Sequence, residues 1–174
     1  MISSTSYFNI EKTYFSQNSS QNSPIYVKGP ISLGNTTTNN INYQTQLTDQ
    51  NIQNIICDLT TTGDLRNNPD CINLFLTSPD IQQSISPNTT FCGIYCGYHG
   101  YFSCGSQTRF YAFVGNPDRC PSSCNPVNMN ASPNNNTGAD GIINVLTHEL
   151  METISNPLLN AWFDCQGYEN ADKW

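Results

Sequence analysis

Eight cysteines in 174 residues, four of them in the short runs Cys92-x-x-x-Cys96 and Cys120-x-x-x-Cys124, constrain this chain more than any apolar pattern in it. Thiols at that density point to a disulfide framework formed in an oxidising compartment. A zinc knuckle would want Cys-x-x-Cys pairs, and runs interrupted by Gly93-Ile94-Tyr95 or begun at Pro121 fit that geometry less well. Eight cysteines allow about a hundred pairings, and spacing alone does not choose among them.

The rest of the composition narrows the function classes. Charged residues make up 11% and hydrophobic residues 37% of the chain, so solubility rests on uncharged Asn, Ser, Thr and Gln. A net charge of −7 with six basic residues leaves no cationic surface for a phosphate backbone, which excludes nucleic acid as a partner. The same balance disfavours an anionic membrane surface. No apolar run approaches the roughly 18–20 residues that span a bilayer. The length suits one domain over residues 1–174. N-glycan acceptor sequences at Asn18, Asn35, Asn88, Asn130 and Asn135 all fall in segments that read as loops, as expected of a secreted glycoprotein. The first residues, Met1-Ile2-Ser3-Ser4-Thr5-Ser6-Tyr7, have neither the basic nor the apolar region of a signal peptide, so the expectation is either a cytosolic protein with free thiols or a secreted chain lacking its true N-terminus.

Periodicity gives an α+β fold: a small mixed sheet with two main helices and disulfide-tied loops. Ile52, Ile55, Ile56 and Leu59 recur at helical spacing behind the N-cap candidate Thr48, predicting a helix over 48–62 that ends at Gly63. Segments 25–28, 71–77 and 109–114 read as strands, and 91–105 reads as an irregular, stapled loop region. A second helix is predicted over 140–155, capped by Asp140 and stopped at Asn156-Pro157. On its wheel Ile143, Leu146, Leu150 and Ile154 share one side, which would pack on the core, with His148 and Glu152 turned away towards a cleft.

That second helix carries His148-Glu149-Leu150-Met151-Glu152, a concentration of chemistry in a chain with two histidines and thirteen acids. Residues i and i+4 project from one face of a helix. His148 and Glu152 are therefore candidate ligands of one metal ion, with Glu149 beside it as general base. The arrangement is that of a zinc metallopeptidase motif with its second histidine replaced by glutamate, a change that widens the choice to harder divalent metals. Glu169 is the expected third ligand, brought back by the turn at Asn156-Pro157, with Asp164, Asp172 and His99 as other candidates. The plainer alternative leaves Glu149 and Glu152 solvating an exposed helix face, and His99 hydrogen-bonded within a tied loop.

The order Phe91-Cys92-x3-Cys96-Gly97-x-His99-Gly100, Tyr111-Ala112-Phe113-Val114-Gly115-Asn116, Cys120-Pro121-x2-Cys124 and Gly138-Ala139-Asp140-Gly141 resembles the EXORDIUM-like, or phosphate-induced, protein family. The run from His148 through Asn156-Pro157 and Ala161-Trp162 to Gly167-Tyr168-Glu169-Asn170-Ala171-Asp172-Lys173 looks like its non-plant, microbial branch, which carries the His-Glu-x-x-Glu residues. The resemblance implies a secreted, extracellular or cell-wall protein with relatives in growth promotion, and no securely attached enzymatic activity. It also implies a domain incomplete at both ends, with Trp174 standing where microbial relatives tend to have Cys. Two functions are then expected as alternatives. One is a zinc-dependent peptide or amide hydrolase using Glu149 with His148, Glu152 and Glu169. The other is a non-catalytic wall-associated or signalling module that binds an extracellular polypeptide or cell-wall glycan.

Overall fold

The protein is described by a computed structural model for residues 2–17, 22–38, 45–125 and 132–173. The acceptor positions Asn18 and Asn130, and Trp174, lie outside the described residues. The chain starts with the short helix α1 (Phe8–Glu11) and the two-residue strands β1 (Phe15–Ser16) and β2 (Ile25–Tyr26), which pair antiparallel. Strand β3 (Gln46–Thr48) runs directly into α2 (Asp49–Thr62). There follow β4 (Ile72–Leu76), β5 (Gln82–Ser86), β6 (Thr89–Thr90), β7 (Gly97–Cys104), β8 (Gln107–Val114), α3 (Pro121–Cys124) and the long α4 (Thr137–Ser155).

Helix α2 forms where its local signals place it. Thr48 Oγ1 accepts from the backbone N–H of Asn51, and Asn51 Oδ1 accepts in return from the backbone N–H of Thr48. This reciprocal cap satisfies two orphan donors of the first turn. The helix stops at Gly63, whose φ of 91° belongs to the left-handed region.

The architecture is α+β, as expected, but the strands are distributed differently. The principal sheet has the order β4-β8-β7, with β4 parallel and β7 antiparallel to β8. Much of the segment read as irregular is therefore its longest hairpin, β7–β8, turning at Gly105 with φ 61°. The 25–28 strand is not part of this sheet, since β2 pairs only with β1. A second sheet, β3-β5-β6, stands apart.

Register decides which side chains share a face. Tyr98 opposes Phe113 and Phe102 opposes Arg109, placing Phe102, Tyr111 and Phe113 on the side covered by Ile52 and Ile56 of α2. Gly97 opposes Val114 and His99 opposes Ala112 on the other side, which faces α4. Three disulfides tie the framework: Cys57–Cys104, Cys92–Cys120 and Cys96–Cys124. The two short cysteine runs are thus joined to each other in parallel, binding the loop before β7 to α3, while Cys71 and Cys165 are free thiols.

Helix α4 corrects two expectations. Its cap is Asn136, whose side chain accepts from the N–H of Ala139, and Asp140 lies inside the first turn as an acceptor for Ser132 and Asn134. Its buried stripe is Gly138, Gly141, Val145, Glu149 and Glu152, the opposite side of the wheel from the predicted apolar arc; the two glycines meet residues 116–125 and the other three the sheet. Ile143, in that arc, is 55% exposed. Leu150 and Ile154 pack instead on a second cluster, built from Phe8, Met151 and Ala171 with Val27 and Ile31. The helix has two partners, and its acidic face meets the sheet.

Glycine makes that seating possible. A Cβ built on Gly97 would lie 2.7 Å from Val145 Cγ1, 2.8 Å from Glu149 Oε1 and 2.9 Å from the Phe113 carbonyl. Gly97→Ala is expected to cost about 1–3 kcal/mol as the helix is pushed off the sheet. A denaturant midpoint lowered at unchanged slope is the measurement that checks it.

Glu11 supplies a pH test of the α1 contact. Its Oε1 accepts from Asn170 Nδ2 at 2.8 Å while Oε2 is buried with no hydrogen bond. Burial, with a smaller push from the charge of Glu152 and against the Asn170 bond, raises the carboxyl to about 7. The folded state therefore holds a proton that the unfolded state releases near 4.5, so this stability is present below about pH 4.5 and lost as pH rises through about 7. Glu11→Gln keeps an acceptor for Asn170 without the charge, and is expected to stabilise by about 3 kcal/mol at pH 8 but less than about 1 kcal/mol at pH 5. Paired unfolding curves at the two pH values read the difference.

Candidate metal centre

The sheet-facing stripe of α4 brings its two glutamates over the one histidine of β7. His99, Glu149 and Glu152 are all buried, at 8%, 5% and 5% exposure. His99 Nδ1 lies 3.7 Å from Glu149 Oε2 and 3.6 Å from Glu152 Oε2. At the other edge of the ring, Nε2 lies 3.3 Å from the Asn156 carbonyl and 3.7 Å from Glu169 Oε1. A carbonyl and a carboxylate only accept, so both ring nitrogens face acceptors: without metal this setting favours a proton on each, and a cation between Nδ1 and the two carboxylates would take the place of the Nδ1 proton while Nε2–H stays on the Asn156 carbonyl.

The second histidine stands one helical turn before Glu152. His148 Nε2 lies 3.1 Å from Glu152 Oε1 and 3.5 Å from Asp172 Oδ1. His148 and Asp172 are each about one-third exposed at the side chain, so this side of the group opens to solvent. Asp172 is aimed by its other oxygen, which accepts from the backbone N–H of Glu169 at 3.0 Å. Despite the 3.1 Å approach of the imidazole, Glu152 Oε1 is buried and receives no hydrogen bond. A buried carboxylate oxygen with no donor is costly unless a cation meets it.

Among the described residues, two groups therefore have ligand atoms mutually within 4.8 Å: His99, Glu149 and Glu152, and His148, Glu152 and Asp172. Ligand atoms about 2.0–2.1 Å from a tetrahedral zinc stand roughly 3.3–3.4 Å apart. The separations of 3.1 to 3.7 Å lie around that value. Charge-assisted hydrogen bonds close to about 2.7–2.9 Å, shorter than any of them. The residues present fit a divalent metal by donor type and by spacing.

The sequence-predicted residues are distributed over both groups. His148 and Glu152 face each other as expected, with Asp172 rather than Glu169 beside them. Glu169 reaches His99 instead, held by Asn156 Nδ2 at 2.7 Å. Glu149 is inside the first group, under the sheet-facing side of the helix. Asp164 is used in a turn, accepting from the N–H groups of Gln166 and Tyr168 and pairing with Lys173 at 3.0 Å.

Protonation follows the crowding. Burial disfavours a charged His99, but its contact with Glu149 and the charges of Glu169 and Glu152 together outweigh burial and raise its pKa. His148 is raised chiefly by Glu152, against its burial. Burial raises both Glu149 and Glu169, opposed by the neighbouring imidazole or amide.

Comparison with known proteins bears on all of these residues. The phosphate-induced protein 1 conserved region matches residues 2–173. The chain belongs to the phosphate-induced, EXORDIUM-like family. Protein EXORDIUM-like 3 of Arabidopsis thaliana is 36% identical over 140 residues, covering 67% of this chain and 38% of the relative. Protein EXORDIUM, also of Arabidopsis thaliana, is 36% identical over 139 residues, covering 72% of this chain and 40% of its own length. The chain thus spans about two fifths of the length of these relatives. No solved structure matches it.

Asn156 is the residue the sequence reading passed over, seen there only as a helix stop. It is 1% exposed, its Oδ1 accepts from the N–H groups of Asn160 and Ala161, and its amide holds Glu169. Its side chain therefore shapes the turn that returns the acidic tail to α4. Asn156→Ala removes three hydrogen bonds of roughly 0.5–1.5 kcal/mol each, and is expected to destabilise the fold by about 2–4 kcal/mol. Thermal unfolding of the variant against wild type measures it.

Proposed function

We propose that this chain is an extracellular member of its family whose α4 helix carries a divalent-cation centre, and that the centre hydrolyses peptide or other amide bonds. The observation that carries the reading is Glu152 Oε1, buried with no well-aligned hydrogen bond and paired at 3.1 Å with His148 Nε2, with Asp172 completing the group on its solvent-open side. In this reading His148, Glu152 and Asp172 hold the cation. Glu169, expected from the sequence as third ligand, orients His99 from behind.

A divalent cation in that position supplies Lewis-acid polarisation of a carbonyl and lowers the pKa of water, zinc being the first candidate and manganese the next. The residues contribute an opening for substrate at His148 and Asp172 and a wall of buried carboxylates that can accept a proton. A cavity of about 370 Å³ lined by Tyr14, Trp162, Phe163, Asp164, Asn170 and Lys173 also includes Glu169. Its aromatic faces and polar edges suit an extended polypeptide or a glycan, bound beside Glu169.

The extracellular location is supported by the three disulfides, which persist in oxidising surroundings. Asn35, Asn88 and Asn135 are exposed, as glycan acceptors must be. No helix among the described residues is long and apolar enough to cross a membrane.

Elemental analysis of oxidised, folded protein is the test. Bound divalent metal is expected, together with cleavage of a fluorogenic peptide that chelation abolishes. His148→Ala is expected to lose the solvent-side metal and at least about a hundredfold of activity while keeping its circular dichroism. Folded wild type without metal would leave the non-catalytic, glycan- or protein-binding module as the better reading.

A further inference from the structure

Glu152 is the one residue common to both ligand groups, and it divides its oxygens between them. Oε1 faces His148 at 3.1 Å, and Oε2 faces His99 at 3.6 Å. We propose that the centre is dinuclear: a second, inner cation lies between His99 Nδ1, Glu149 and Glu152, and the Glu152 carboxylate bridges it to the outer cation at His148 and Asp172. This rests on the metal-centre reading above and adds to it a site, a bridging ligand and a role for Glu149.

Three observations converge on the inner position. The first is the setting of His99: Nε2 lies 3.3 Å from the Asn156 carbonyl, with Glu169 nearby, and Nδ1 faces two carboxylate oxygens, acceptors that only a proton or a cation between them can reconcile. A backbone carbonyl or carboxylate on the far ring nitrogen is the usual support of a ligating histidine. The second is spacing. At 3.6 and 3.7 Å, His99 is too far from Glu152 and Glu149 to hydrogen-bond them, yet close to the separation of ligands about one metal. The third is Glu152 Oε1, which is buried and without a hydrogen bond, so the carboxylate can turn both oxygens to cations.

Charge decides between one cation and two. Once metal displaces the protons that burial favours on Glu149 and Glu169, the four carboxylates Glu149, Glu152, Glu169 and Asp172 bring four negative charges to two histidines that bind metal as neutral rings. One divalent cation leaves two of those charges uncompensated, where three of the four carboxylates are largely buried. Two divalent cations balance them. Two-metal hydrolytic sites hold their ions about 3.5–4 Å apart, a span that one bridging carboxylate covers. With the inner cation bound, Glu149 is its ligand rather than a free general base.

Zinc stoichiometry on the full-length chain separates the possibilities. Protein stripped by chelator and titrated with Zn²⁺ alone is expected to bind two equivalents by equilibrium dialysis. His99→Ala and His148→Ala are each expected to bind one, and Glu152→Ala to weaken both sites at least tenfold. One equivalent in wild type, unchanged by His99→Ala, overturns the inner site while leaving the outer centre standing. No zinc in folded wild type overturns both readings. Mn²⁺-loaded wild type gives a check that needs no variant: an exchange-coupled paramagnetic resonance spectrum is expected, and the spectrum of isolated ions alone overturns the proposal.

Discussion

Everything in the centre depends on how closely α4 lies on the β7–β8 hairpin. Gly97 sets that approach, and Gly138 and Gly141 seat the first turns of the helix on residues 116–125. Gly97 admits Val145 and Glu149 from above, while Gly138 sits 2.5 Å, measured from a would-be Cβ, from the side chains of Asn116 and Asp118. Gly141 fits against Asn125 and Pro117 in the same way. The cost of glycine within a helix, about 1 kcal/mol each relative to alanine, is offset by the close approach it allows. Only at this range can carboxylates on short tethers reach an imidazole that rises from the sheet.

The disulfides hold the surface on which the helix rests. Cys92–Cys120 and Cys96–Cys124 join the entrance of β7 to the segment just after β8, so the hairpin and the support of α4 form one unit. Each closes a loop of 28 residues, for which the chain-entropy account gives roughly 3 kcal/mol or more. Cys57–Cys104 ties α2 to the far end of β7 from the other face. A chain with a modest hydrophobic fraction thus fixes α2 to β7, and the α3 segment that supports α4 to the entrance of β7, covalently. The buried polar chemistry then sits in a frame that need not be stabilised by apolar burial alone.

Legibility in the sequence follows the range of the determining interaction. Helix α2 was readable to the residue because its cap, Thr48 with Asn51, and its stop, Gly63, are local. The α+β class, the strands at 72–76 and 107–114, and the pairing of His148 with Glu152 were also readable, each from periodicity within a few turns or residues. Strand β7 was not, because Cys96-Gly97-Tyr98-His99-Gly100 carries the glycines of a turn, whereas here Gly97 makes room for a helix and Gly100 for the Tyr111 ring. The face of α4 was inverted for a related reason. The apolar arc reads as core-facing, and Leu150 and Ile154 do pack on the Phe8 cluster, but that cluster is not the sheet, which is met by Val145, Glu149 and Glu152. Disulfide partners and the placement of Glu169 against Asp172 depend on contacts far apart in sequence, beyond what spacing can specify.

The inverted face changes what the His-Glu-x-x-Glu pattern means. On a helix whose apolar arc is buried, these residues would line an open groove, where Glu149 and Glu152 are solvated and cheap to charge. On a helix that turns them to the sheet, the same residues are desolvated and must find counter-charge from their surroundings. Of the six basic side chains in this chain, Lys173 is paired with Asp164 and Arg109 is buried on the opposite face of the sheet against Asn67 and Gln107. The two imidazoles are the positive groups within about 4 Å of the carboxylates, and both are drawn towards protonation by them. Without metal the group relies on protons, on both rings and on Glu149 and Glu169, whose carboxyls burial raises. Sequestering acids in this way without further positive charge works against folding, whereas the same carboxylates facing divalent metal become its ligands. The burial of Glu149 and Glu152, more than the pentapeptide that contains them, is the physical argument for a metal centre in this fold.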